Sequence, residues 1–165
     1  MTAALLATLA AAFACSPPSS PDGAPTTETG AARPPEASAV IELTNAERVR
    51  TGLGALGANA WLSQAAQLHA EQMADASRLA HVLPGARYPM LEDRLAAAGY
   101  QWQAVGENLA AGQQSPAQAV ETWMQSNAHR ANILNATFTE MGAGFIIDRN
   151  GRRYFVQVFG RAAGR

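Results

Sequence analysis

The side chains able to do chemistry are few: three histidines, His69, His81 and His129, one cysteine, Cys15, and a scatter of carboxylates among 165 residues. All 12 basic residues are Arg, so neither a lysine Schiff base nor a phosphate-cradling P-loop lysine is available. One thiol permits no intramolecular disulfide and no zinc site built from two or more thiolates. What remains is imidazole and carboxylate chemistry, above all acid–base work. Four residues stand out: His81 in a loop, Glu107 within Val105-Gly106-Glu107-Asn108-Leu109, Glu121 on a helix, and His129 at the start of His129-Arg130-Ala131-Asn132-Ile133-Leu134. Glu107 sits in an otherwise apolar strand and, if buried, needs an Arg or His partner. Glu121 and His129 are eight residues apart, so whether they face each other depends on how the helix ends near Ser126. His69 and Glu71 do not form an HExxH zinc motif, and His69 reads as a satisfied helix histidine.

Several elements must position these groups. Val40, Leu43, Thr44 and Glu47 recur at helical spacing with Gly52 as a stop, which predicts a helix over Ser38 to Thr51. Asn59 or Ser63 can cap a second helix reaching Arg78, with a stripe through Leu62, Ala65, Ala66, His69 and Met73. Pro89 opens a short third helix that ends at Gly99. Ser115-Pro116 starts a fourth, which runs to about Ser126. The period then changes: Met141 to Asp148 and Arg153 to Phe159 read as strands around an Asn150-Gly151 turn, and Val105 to Ala110 as a shorter strand. Three or so strands with about four helices predict an α+β layered domain. Trp61, Trp102 and Trp123 are expected in the core or at its edge.

The first fourteen residues form an uncharged Ala/Leu run of signal-peptide length, too short to span a bilayer as a helix. They predict an export signal over 1–14. Cys15 follows Ala12-Phe13-Ala14 directly, an arrangement that resembles a bacterial lipobox, so Cys15 is the expected lipidation site and the expected link to a membrane. Ordinary cleavage would instead leave a secreted protein with an idle thiol. Residues 15–37 are proline-rich with almost no core-forming side chains, and read as a tether; 38–165 form the folded domain. The net charge of −1 offers no electrostatic footprint for nucleic acid.

Nine blocks in order carry a resemblance that covers essentially everything after Ser38. They include Leu43-Thr44-Asn45-Ala46-Glu47-Arg48, Leu79-Ala80-His81, Gly106-Glu107-Asn108-Leu109-Ala110, Ala119-Val120-Glu121-Thr122-Trp123-Met124, His129 to Leu134, and Val156-Gln157-Val158-Phe159-Gly160. The chain resembles the CAP superfamily, or SCP domain, in its exported bacterial form. The resemblance implies a three-layer α/β/α sandwich with a small, mainly antiparallel central sheet. It also implies a cleft tetrad, carried over to His81, Glu107, Glu121 and His129. In some relatives the two histidines hold a divalent metal, so His81 and His129 are the implied ligands of a weakly bound Zn²⁺, oriented by the glutamates. Asn108 and Gln157 are candidates to line the cleft, with polar cross-strand contacts an equal explanation.

Three functions compete. The favoured one is a cell-envelope binding module whose His/Glu cleft holds a metal and a lipid or peptide ligand. The second is a metal-dependent, peptidase-like hydrolase with a zinc-bound water and Glu107 or Glu121 as base; no serine or cysteine nucleophile adjoins the tetrad, Ser126 being only a loose candidate. The third is a non-catalytic structural envelope lipoprotein whose tetrad merely braces helices against the sheet.

Overall fold

The structure, a computed structural model, describes residues 33–164. The expected export signal, Cys15 and all but the last residues of the tether lie outside them. The first helix, α1 (Pro35–Arg50), starts earlier than Ser38 because Pro35 occupies its first turn, where a missing N–H costs nothing. A two-residue strand, β1 (Gly57–Ala58), precedes α2 (Ala60–Asp75). Asn59 caps α2 by accepting from the Leu62 amide at 3.1 Å. The third helix, α3 (Leu91–Ala98), begins after Pro89, where the Asp93 carboxylate accepts from Met90 N at 3.0 Å, and it ends on Gly99 at φ 85°.

Strand β2 (Trp102–Ala111) is longer than its apolar run. Ser115 and Pro116 open α4 (Pro116–Gln125), and Ser126, in extended backbone, separates it from α5 (Asn127–Ile133). The chain closes with β3 (Glu140–Ile147) and β4 (Arg153–Ala162). Their turn runs over Asp148 to Gly151 with Gly151 at φ 81°, closed by Gly151 N to Asp148 O and Asp148 N to Arg152 O, both 2.9 Å. The described residues therefore hold five helices and four strands.

The sheet order is β1-β3-β4-β2, antiparallel except for the β1–β3 pair, so β2 is an edge strand. Its two faces bury different helices. Phe155, Phe159, Met141, Ala143 and Ala110 pack with α1, α4 and α5 around the buried Trp123. Tyr154, Val156, Val158 and Leu109 pack with Leu62, Ala66 and Met73 of α2 and Leu95 of α3. The result is the α/β/α sandwich of an α+β domain. A Cβ on Gly142 would lie 2.1 Å from Ser63 N, and one on Gly144 2.5 Å from the Ala66 carbonyl, so bare backbone on β3 is what lets α2 seat this closely. Trp123 is fully buried and Trp102 packs at the edge of the core, whereas Trp61, in the first turn of α2, is 52% exposed.

Candidate functional site

Alternation along β2 sends Glu107 toward α2 and α3 and Asn108 toward α1 and α5, which places two neighbouring polar residues on opposite faces of an edge strand. The Glu107 side chain is only 4% exposed, and both of its oxygens are engaged. Oε1 accepts from Arg94 Nη2 at 2.9 Å, and Oε2 accepts from His81 Nδ1 at 2.9 Å. Both partner types anticipated for a buried carboxylate are thus present. Arg94 is itself completely buried. It also donates to the backbone carbonyls of Tyr88 and Pro89, each at 3.3 Å, and of His81 at 3.4 Å, which folds the loop before α3 around one guanidinium. Leu83 N donates to Pro89 O at 3.1 Å and closes that loop on itself. His81 stands at the loop's surface with a 58% exposed side chain. Its pKa is raised, first by the hydrogen bond to Glu107 and then by that carboxylate's charge, against the opposing effect of burial.

Beneath this pair lies His69 on α2, wholly buried, with Nε2 3.8 Å from Glu107 Oε2. Neither ring nitrogen has a hydrogen-bond partner, although the Ala80 backbone lies near enough to favour the protonated form slightly. His69 is therefore not the satisfied helix histidine that its position suggests. Burial pushes its pKa down to about 4, helped by Arg94 and opposed by Glu107. Arg94 and His69 belong to the site although neither stands out in the sequence as a member of it. The available signal was their place within apolar stripes, Arg94 beside Leu95 and Ala98, His69 between Ala66 and Met73.

On the other face, a buried polar relay reaches His129. Asn108 Nδ2 donates to the His129 carbonyl at 3.1 Å and to Gln157 Oε1 at 3.0 Å. Gln157 Nε2 donates to Thr44 Oγ1, which donates to Val40 O at 2.7 Å within α1. Asn132 Nδ2 donates both to Asn108 Oδ1 at 2.9 Å and to the Glu107 carbonyl at 3.2 Å. Asn108 and Gln157, candidates either to line the cleft or to make a polar cross-strand contact, are fully buried and bond to each other across the β2–β4 pair. The His129 ring is half-buried, with Nδ1 enclosed and unpartnered. Burial lowers its pKa, and so does the charge of His81.

Glu121 is placed elsewhere. It is exposed on α4, accepts from Gln125 Nε2 at 3.3 Å, and lines a groove between α1 and α4 with Leu43, Glu47 and Met124. Among the described residues no hydrogen bond or ion pair joins it to His81, Glu107 or His129. The helix break at Ser126 is the physical reason, since it redirects α5 and breaks the helical phase that would relate Glu121 to His129. Ser126 itself is the C-cap of α4. No group of three or more His, Cys, Asp or Glu among the described residues is arranged to hold a metal ion, and no helix among them is long and apolar enough to cross a membrane. Two imidazole nitrogens are left as candidate donors. Glu107 takes Nδ1 of His81, leaving Nε2 for a ligand, and His129 Nδ1 is a buried nitrogen without a partner.

Comparison with known proteins follows the same outline. The model of the cysteine-rich secretory protein family, CAP, matches residues 41–159. An uncharacterized protein of Bacillus subtilis, YkwD, is 38% identical over 130 residues, which are 76% of this chain and 50% of that protein. The crystal structure of an extracellular protein containing a SCP domain from Bacillus anthracis superposes with a TM-score of 0.69 at 30% identity, over 76% of this chain and 40% of that one. An outer surface protein from Borrelia burgdorferi shares the fold at a TM-score of 0.70 and 19% identity, over 78% of this chain and 93% of that one. The chain thus spans about half, or less, of the length of the two Bacillus relatives.

Proposed function

Because the chain belongs to the cysteine-rich secretory protein (CAP) family, we propose that it is an extracytoplasmic binding module of the cell envelope. Its cleft takes a divalent cation on His81 and His129, with a lipid or peptide ligand beside it, and Cys15 carries acyl chains that hold the domain at a membrane. The extracellular and outer-surface descriptions of the Bacillus anthracis and Borrelia proteins support the location. The observation that carries the binding role is the state of Glu107, whose two oxygens are both occupied by Arg94 and His81. A carboxylate so committed orients an imidazole, and with each oxygen already accepting a charge-assisted bond it is a poor base for activating water. Glu121, on the α1–α4 groove, supplies no replacement. Two neutral imidazoles, one backed by a carboxylate, suit Zn²⁺, and with only two protein ligands occupancy is weak and reversible. When bound, the cation would supply Lewis-acid attraction for an anionic or carbonyl group of the ligand. Binding must displace the Nε2 proton that Glu107 favours on His81, so affinity rises with pH.

The test is calorimetric titration of the full chain with ZnCl₂ at pH 6.5 and pH 8. Expected are saturable binding near one equivalent, tighter at pH 8, loss of it in His81→Ala and in His129→Ala, and no change in Glu121→Gln. Binding that survives both histidine changes, or that Glu121→Gln abolishes, would overturn the cation site. Mass spectrometry of protein extracted from membranes with detergent reads the acylation of Cys15 directly, and an unmodified thiol there would remove the anchor.

A further inference from the structure

The Gly106-Glu107-Asn108 tripeptide holds both histidine-bearing segments at once. Glu107 fixes His81 on one face of the sheet, while Asn108, one residue later, holds the His129 carbonyl on the other. Asn132, three residues beyond His129 on α5, returns a bifurcated donor to this same stretch, to the Glu107 carbonyl and to Asn108 Oδ1. Gly106 makes that return possible, because a Cβ there would lie 2.9 Å from the Phe138 ring and 3.2 Å from Asn132 Oδ1. The Asn108 side chain is fully buried and uses both of its donors and its acceptor, so it has no freedom to rotate without leaving a polar group unpaired.

We infer that Asn108 and Asn132 are positioning residues that set the separation of the His81 and His129 imidazoles, and thereby the size of the cation or ligand group the cleft accepts. The inference rests on the cleft reading given above and adds to it a specificity device that touches no ligand. The His81 wall is fixed to β2 through a side chain, and the His129 wall is fixed to the same strand through the two amides. Without them α5 keeps apolar packing around Ile133 and Phe138, which is non-directional, and the bonds that Arg48 donates to the Ile133 and Asn135 carbonyls, which tie the far end of α5 to α1 and not His129 to β2. Outer partners of this kind typically change metal affinity by about 10- to 100-fold when removed.

The deciding experiment compares Asn108→Leu and Asn132→Leu with Phe145→Leu in the full chain. Phe145 lies in the same apolar cluster near the far end of β3, and its replacement lowers stability without touching the relay. Two quantities are read in each protein: zinc affinity by calorimetry, and the ¹⁵N and ¹H signals of the His129 ring without metal. Both Asn variants are expected to lose about tenfold or more in zinc affinity and to shift the His129 ring signals, with Phe145→Leu matching their loss of Tm but leaving both readings at wild-type values. A second variant, Asn108→Gln, keeps the amide chemistry and should recover part of the affinity. Asn variants with wild-type His129 signals would overturn the inference, as would affinity losses that simply follow Tm through all variants. If the wild-type chain takes up no zinc, the cation reading fails alone, and the His129 ring signals still decide the positioning role.

Discussion

His69 makes the energetics of the site measurable through its protonation. It is wholly buried, both ring nitrogens are unpartnered, and burial holds its pKa near 4 against an ordinary 6.5. The unfolded chain therefore takes up the proton that the folded chain refuses. The His69 contribution is fully present above about pH 6.5, is lost as pH falls through the window between 6.5 and 4, and levels off below it. The interval between those values corresponds to about 3 kcal/mol in full, with ~2 kcal/mol already lost at pH 5.

 That loss is equivalent to roughly 7 °C in Tm for a domain of this size. The groups facing His69 are Glu107, Arg94 and His81. His81 works in the opposite sense: its raised pKa contributes stability below its unfolded value, and that stability is lost as pH rises through the folded one. A comparison with His69→Leu removes the His81 contribution from the difference. Leu matches the imidazole roughly in volume and leaves no unpaired nitrogen, so at pH 8 the variant should be as stable as the wild type or slightly more so. Urea denaturation from pH 8 to pH 4.5 should then show the wild type losing ground to the variant, by about 2 kcal/mol at pH 5. Two curves that fall in parallel across that range would refute the argument, because the buried imidazole would then have no part in the acid loss.

Two further outcomes follow from the packing. Arg94→Met keeps the length of the side chain but leaves the Glu107 carboxylate buried without its guanidinium, and should cost about 3–5 kcal/mol in urea denaturation; proteolysis within residues 77–90 should accelerate as well, since three loop carbonyls lose their common donor. Gly142→Ala drives a methyl group into the backbone of α2 at Ser63, so the chain should lose about 3 kcal/mol or fail to fold, whereas Gly54→Ala, with open space around it, should fold normally by circular dichroism.

Much of the fold was legible because its signals are local. Asn59, Ser115-Pro116, Gly99 and Asn150-Gly151 mark starts, stops and a turn through hydrogen bonds and φ angles set within a few residues. Strand β1 escaped notice because two residues in a Gly-rich stretch carry no alternation, and they become a strand only by pairing with Glu140 and Met141 far along the chain. Helix α5 went without a prediction, its seven residues being too few to display a stripe. At the site, the burial of Glu107 and the types of its partners could be anticipated from its apolar flanks. Which Arg and which His could not, because Arg94 comes from a different layer and nothing in its own helix announces the meeting. Glu121 shows the converse: its distance from His129 in sequence says little once Ser126 breaks the helix between them.

The relay behind the cleft also has a consequence for the order of assembly during synthesis. Its Gln157–Thr44 contact joins residues 113 apart, and its Asn108–Gln157 contact joins residues 49 apart. His81, Glu107 and His129 all leave the ribosome before Gln157 does. A nascent chain can therefore display every imidazole and carboxylate of the site while the wall that holds His129 still lacks its backing. In the proposed binding role, capture of a ligand comes only after the final strand has arrived, and a fragment ending before Arg153 would carry the site's residues without the relay that backs them.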